Sequence, residues 1–262
     1  MTNYKILFLD IDGTILKADH TIDHSTKNAI KQVKEQGIEI FLATGRPLHE
    51  VTDIADELDV HSFIGYNGAY AIYQDKEILN KPMKRDTVKH FLHVCQANPH
   101  EMVLYTHNKS LMTSLDSGVI KDFTSYFDLK DTSLFTSAEM DNVLGITLMN
   151  LEEDDPKLYE TDEPIFFSQV NVEGLMHSYD IIRESVNKGR AIKHVIELLG
   201  FEKDSTIAFG DGMNDKQMLE FVGEGFAMGN AHPDLFAFAK HRTTSVDDNG
   251  IFNGLKQLGL VK

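Results

Sequence analysis

Lys5-Ile-Leu-Phe-Leu-Asp-Ile-Asp-Gly-Thr14 opens with a short apolar run and closes with two carboxylates flanking one isoleucine. A short apolar run that stops at a carboxylate reads as a strand. Thr26, Ala29, Ile30 and Val33 then recur at helical spacing until Gly37 stops the pattern. Ile38 to Ala43 is a second apolar run, followed by a turn-like Thr44-Gly45-Arg46-Pro47 and a helical set at Leu48, Val51, Ile54, Ala55 and Leu58. Near the other end, Ala191, Ile192, Val195, Leu198 and Leu199 predict a helix closed by Gly200. Thr206 to Phe209 predicts a strand, and Met218, Leu219 and Val222 begin another helix. Strand and helix alternate at both ends, which predicts an α/β fold with a doubly wound, mostly parallel sheet.

The middle of the chain differs. From Met83 to Glu184 the apolar runs shorten, turn residues are frequent and acidic blocks stand at Glu152–Asp155 and Glu160–Glu163. This stretch carries 8 Lys and Arg against 18 Asp and Glu, a net of −10. An inserted α/β domain over residues 83–184 is expected, with the core formed by residues 1–82 and 185–262. Thr87–Gln96 would be one of its helices, and Met102–Tyr105, Gly145–Leu148 and Ile165–Val170 would be strands.

A chain of 262 residues with 42% hydrophobic and 25% charged residues can build a sizeable core and is neither disordered nor fibrous in composition. Its formal charge of −16 argues against a general surface for nucleic-acid backbones. An anionic substrate would have to be met by a few placed cations or a metal. Cys95 is the single cysteine, so no internal disulfide forms, and no window approaches the roughly 18 apolar residues of a membrane span. The N-terminus has an early carboxylate and no small-residue cleavage site, so a cytoplasmic address is expected.

Three of the expected strand ends carry the polar residues. In an open α/β sheet the ligand crevice lies beyond the carboxyl ends of the strands. At the first, one of Asp10 and Asp12 could attack phosphorus and ligate a hard cation while the other exchanges protons; an Asp-Gly turn that only ends a strand is the competing reading. At the second, Thr44 and the Gly45 N–H could hold a phosphoryl oxygen at a helix N-terminus, or Thr44 could be a plain N-cap. At the third, Gly210-Asp-Gly-Met-Asn-Asp215 adds carboxylates. If the strands are neighbours, Asp10, the Asp12 carbonyl and Asp211 offer oxygen ligands for Mg²⁺, and Asn214 could bond a substrate oxygen. An EF-hand reading of GDGMND lacks the glutamate at its twelfth position and the helix before it. Lys188 precedes a strongly periodic helix, where acids are preferred, so an ammonium there suggests neutralisation of a phosphoryl group or a carboxylate, held by Asp215. A surface lysine is the alternative. His90 and His93 lie three apart on an expected helix, as a solvated face would place them, and no zinc, GxSxG or GxGxxG pattern is present.

Taken together and in order, DxDGT (Asp10–Thr14), ATGRP (Ala43–Pro47), NKGRA (Asn187–Ala191) and GDGMND (Gly210–Asp215) resemble the haloacid dehalogenase-like hydrolases. YNGA (Tyr66–Ala69) and MGNA (Met228–Ala231) further resemble the Cof-type phosphatase subfamily, whose α/β cap is inserted between the second and third motifs. The resemblance implies a Rossmann-like core and an Mg²⁺-dependent phosphatase acting on small phosphomonoesters. It implies Asp10 as the nucleophile that forms an aspartyl-phosphate and Asp12 as general acid and then base. Mg²⁺ would rest on Asp10, Asp12 and Asp211. Phosphate would lie against the Ile11 N–H, Thr44, Gly45, Lys188 and Asn214, with Asp215 orienting Lys188. A phosphomutase using the same intermediate and a phospho-accepting signalling module are the alternatives. The residues leave the physiological substrate and the oligomeric state open.

Overall fold

The computed structural model describes residues 4–170 and 174–262. In chain order the first elements are β1 (Ile6–Leu9), α1 (His24–Glu35), β2 (Glu39–Ala43), α2 (Thr52–Leu58), β3 (Phe63–Gly65), β4 (Tyr70–Tyr73) and β5 (Lys76–Asn80). The middle supplies α3 (Arg85–Ala97), β6 (Glu101–Tyr105), β7 (Ser110–Met112), α4 (Gly118–Tyr126), β8 (Thr132–Leu134), β9 (Gly145–Met149), β10 (Ile165–Gln169) and β11 (Tyr179–Arg183). The last part holds α5 (Lys188–Leu199), β12 (Thr206–Gly210), α6 (Lys216–Phe221), β13 (Glu224–Ala227), β14 (His241–Arg242) and α7 (Gly250–Gln257). By contacts the chain divides into two units: one of residues up to Gly45, Asp53–Leu79 and Asn187–Lys262, the other of Arg46–Thr52 and Asn80–Val186.

The first unit is built on an eight-stranded sheet in the order β14-β13-β12-β1-β2-β3-β4-β5. The pairs from β14 to β3 are all parallel, and β4 joins antiparallel to β3. All four residues of β1 are buried, as expected of a strand covered on both faces. Strand order runs one way from β1 to β2 and β3 and the other way from β12 to β14, so the topological switch point falls between β1 and β12. Helices α1 and α5 form where the sequence pattern places them. Asp23 caps α1 by accepting from the Ser25 N–H at 2.8 Å, and Thr26, Ala29, Ile30 and Val33 face inward. Asn187 caps α5 in the same way through the Arg190 N–H, and Gly200 ends it in the left-handed conformation. Ala191, Ile192, Val195 and Ile196 of α5 and Met218 and Leu219 of α6 join Ile6, Phe8, Phe41 and Ala208 of the sheet in one core.

The helix expected to begin at Leu48 begins later. Leu48–Glu50 is a single 3₁₀ turn after Pro47, and the α-helix starts at Thr52. The break coincides with a tertiary contact: residues 46–52 group with the second unit, and the Glu50 carboxylate accepts from the Ser110 hydroxyl at 3.2 Å.

The second unit has a six-stranded sheet in the order β10-β11-β9-β6-β7-β8, antiparallel except for β7–β8. Side chains alternate across β6: Met102 and Leu104 pack with Val88 and Phe91 of α3, whereas Val103 packs with Ile120 and Phe123 of α4. The two helices therefore cover opposite faces of this sheet. Near the points where the inserted chain enters and leaves, the buried Arg183 guanidinium donates to the Lys81 and Pro82 carbonyls at 2.7 and 3.1 Å. Elsewhere in the unit, buried His100 lies 2.8 Å from the Tyr159 hydroxyl and 2.9 Å from the Asp155 carboxylate, so both ring nitrogens are satisfied. No helix among the described residues is long and apolar enough to cross a membrane.

Burial pushes the Glu50 carboxyl up to about 7, against the opposing Ser110 hydroxyl, Arg46 and Lys130. An acid whose folded pKa is raised stabilises the fold at low pH, and that stabilisation is lost as pH climbs from the ordinary carboxylate value through about 7. Glu50→Gln keeps the shape and removes the charge. It is expected to unfold at the same urea concentration as wild type at pH 4.5 but to be more stable by about 2–3 kcal/mol at pH 8. Identical wild-type and variant stabilities at pH 8 would show that Glu50 carries no such penalty.

Candidate active site

Asp10 follows β1 directly, and its backbone N–H donates to the Phe209 carbonyl of β12 at 3.1 Å, pinning it at the switch point. It is only 6% exposed. Beyond it the chain turns tightly, with the Ile15 and Leu16 N–H groups both donating to the Ile11 carbonyl. Gly13 is required at this turn for two reasons. Its φ is +77°, and a Cβ there would land 2.3 Å from Asp211 Oδ2. The Asp12 side chain, by contrast, is solvent-exposed, while its backbone forms an isolated bridge to Leu16.

At the end of β12, Asp215 organises the neighbouring loop. One of its carboxylate oxygens accepts from the backbone N–H groups of Asp211 and Gly212, both at 3.0 Å. The other accepts from Lys188 Nζ at 2.6 Å. The same ammonium donates to Asp10 Oδ1 at 2.5 Å, so Lys188 joins the ends of β1 and β12 from the first turn of α5. Lys188 and Asp215 are both 0% exposed. Burial alone would depress the lysine, but the Asp10 and Asp215 carboxylates hold it above its ordinary value. Burial and the Asp215 charge raise the Asp10 carboxyl against the pull of Lys188. Burial and Asp215 likewise push Asp211 up to about 7.

The structure thus gathers Asp10, Asp211, Asp215 and Lys188 into one cluster at the switch point. Thr44 is buried just past β2, with its N–H donating to the Ile64 carbonyl at 2.8 Å. Asn214 donates from Nδ2 to Asn67 Oδ1 at 3.0 Å. Besides Asn67, two more residues without a role in the sequence reading take part. Thr14 donates to Asp211 Oδ1 at 3.1 Å. Asn230 donates to the Gly13 carbonyl at 2.8 Å while accepting from the Val246 N–H at 2.9 Å. Each lies in a quoted motif, DxDGT and MGNA, so the motif was visible, but its contact spans a large sequence separation.

Carboxylate oxygens of Asp10, Asp211 and Asp215 come within 4.8 Å of one another, a grouping that could hold a metal ion. The donor set fits a hard divalent cation, being all oxygen. Within it, Asp215 is already engaged by two N–H groups and an ammonium, whereas burial and the Asp215 charge raise Asp10 and Asp211. Those two side chains are therefore the ones that a cation would relieve.

Residues 7–255 match the family model of the haloacid dehalogenase-like hydrolases, and the chain belongs to that family. It is an enzyme of the phosphatase branch by its relatives. The Bacillus subtilis chain named Putative phosphatase YkrA is 34% identical over 98% of this chain and 99% of its own length. Bacillus subtilis YitU, named a 5-amino-6-(5-phospho-D-ribitylamino)uracil phosphatase, is 27% identical over 96% of each chain. Among solved structures, the sugar phosphatase BT4131 of HAD subclass IIB superposes with a TM-score of 0.84 and 26% identity, over 98% of this chain and 100% of that one.

Lys188→Met would leave the Asp10 and Asp215 carboxylates buried without their shared cation. The expected cost is about 3 kcal/mol in urea unfolding at pH 8. The penalty should shrink at pH 5, where the raised Asp10 carboxyl takes up a proton at less cost. Equal stability of variant and wild type at pH 8 would contradict the ion-pair geometry.

Proposed function

We propose that the chain is an Mg²⁺-dependent phosphatase of small phosphorylated metabolites that works through an aspartyl-phosphate on Asp10. The observation that carries this reading is the Lys188 ammonium held between Asp10 and Asp215 beside Asp211, at the carboxyl ends of adjacent parallel strands. A lysine there neutralises charge on a transferring phosphoryl group, which is most of what phosphoryl transfer asks of a protein.

In the first step an Asp10 carboxylate oxygen attacks phosphorus, and the ester oxygen leaves as an alcohol after taking a proton from Asp12. In the second step Asp12 takes a proton from water as that water attacks the aspartyl-phosphate, releasing inorganic phosphate and restoring Asp10. The solvent-exposed Asp12 side chain suits exchange with leaving group and water. The Ile11 N–H, Thr44, Gly45, Lys188 and Asn214 would hold the phosphoryl oxygens, and Asp215 would orient Lys188. Mg²⁺ would rest on Asp10, the Asp12 carbonyl and Asp211. When bound it would hold Asp10 ionised and neutralise phosphoryl charge.

The relatives differ in what their names say they act on, a phosphoribitylamino-pyrimidine in one and sugar phosphates in another. Small phosphomonoesters are what they share, so that class is the substrate proposed for this chain. The inserted segment, residues 83–184, would choose among them as a cap, and its net charge of −10 favours compact monophosphates over polyanions.

Asp10→Asn should retain the fold and lose more than about 1,000-fold in turnover of p-nitrophenyl phosphate. Wild-type turnover in that variant would sink the mechanism. Separately, EDTA should abolish activity, with recovery on Mg²⁺ but not on Ca²⁺, whose larger coordination sphere disturbs in-line geometry. Full activity after exhaustive chelation would exclude the proposed cation site.

A further inference from the structure

The Tyr66-Asn67-Gly68 turn between β3 and β4 is conformationally expensive. Its three residues are all left-handed, with φ of 53°, 53° and 102°. Glycine accepts that region freely and asparagine tolerates it, but an aromatic residue does so rarely. Such strain persists where the surroundings over-determine it.

The surroundings here are the phosphate-binding segments of the proposed site. The Asn67 N–H donates to the Thr44 carbonyl at 3.1 Å. Its carboxamide lies over Gly45, where a Cβ would come within 3.1 Å of both Asn67 Nδ2 and Oδ1. A Cβ on Gly68 would fall 2.4 Å from the Asn187 carbonyl and 3.1 Å from the Lys188 N–H nitrogen, so the turn also packs on the start of α5. Asn67 Oδ1 accepts from Asn214 Nδ2 at 3.0 Å. One turn thus touches the ends of β2, of β12 and the start of α5.

The geometry points to Asn67 as a positioning residue for phosphate binding, acting through Asn214 and resting on the phosphatase reading above. A carboxamide has a donor edge and an acceptor edge, and only the donor edge favours a phosphoryl dianion. Asn67 Oδ1 takes one N–H of the Asn214 amide and so turns that edge toward the Thr44–Gly45 loop, leaving the second N–H for a phosphoryl oxygen. The left-handed turn places the Asn67 oxygen there while its backbone ties to Thr44.

The test uses the whole protein and three variants: Asn67→Gly, Asn214→Ala and the double substitution. Glycine keeps the left-handed backbone and deletes only the side chain. Steady-state hydrolysis of p-nitrophenyl phosphate and inhibition by inorganic phosphate are measured for each. Asn67→Gly should raise both KM and the phosphate inhibition constant about tenfold, with kcat changed less than about threefold. In the Asn214→Ala background the same change should add less than about twofold, because a residue that acts through Asn214 has nothing left to act on. An inhibition constant for Asn67→Gly within about twofold of wild type, or losses that multiply in the double variant, would overturn the proposal and leave the phosphatase reading standing. A wild-type protein that neither hydrolyses the ester nor binds phosphate would overturn both.

Discussion

A single ammonium, Lys188, stands 2.5 Å from Asp10 and 2.6 Å from Asp215 with no exposed surface of its own. Three charges buried this deeply are tolerable only together: removal of the cation would strand two carboxylates, and removal of either acid would weaken the hold on the lysine. The rest of the first unit meets this demand. Asn187 caps α5, so the helix begins where the lysine must stand, and the hydrophobic face of the helix fixes its axis against the sheet. The second oxygen of Asp215 is held by the Asp211 and Gly212 N–H groups, which sets the direction of the ion pair and shapes the loop that bears Asp211.

Sheet topology makes the convergence possible. Residues far apart in sequence meet because β1 and β12 are parallel neighbours whose carboxyl ends open on the same crevice. The second unit has its own sheet and its own cores, with α3 and α4 on opposite faces. None of Asp10, Lys188, Asp211 and Asp215 belongs to the cores of the second unit, which are built from apolar side chains of its own residues.

Much of this was legible in the sequence, and the limit is physical. Apolar runs announced β1, β2 and β12 because strands buried on both faces need no alternation to be seen. The motifs at their ends were legible because a sheet projects the residues just past each strand into one crevice. What escaped were contacts that depend on three-dimensional register. Thr14 with Asp211, Asn230 with the Gly13 carbonyl and Asn67 with Asn214 link residues 197, 217 and 147 positions apart. The 3₁₀ turn at Leu48–Glu50 escaped for the same reason: its helical spacing was sound, but Glu50 bonds to Ser110, 60 positions away in sequence. The left-handed backbone at Tyr66 was invisible because nothing in that residue type favours it; only its surroundings do.

Charge balance is the physical argument for the proposed pairing of a divalent cation with a phosphoryl group at this constellation. One ammonium faces three carboxylates, Asp10, Asp211 and Asp215, in a space where their oxygens lie within 4.8 Å. Burial, reinforced by the Asp215 charge, raises Asp10 and Asp211 toward protonation, and in the proposed mechanism a protonated Asp10 would be a poor nucleophile. A phosphoryl dianion alone would worsen the imbalance, and a cation alone would leave its coordination sphere open. In the proposed site the two are complementary: each offsets what makes the other unfavourable, so they bind more tightly together than apart. Lys188, already held by its two aspartates, would supply a positive charge that needs no partner from solution.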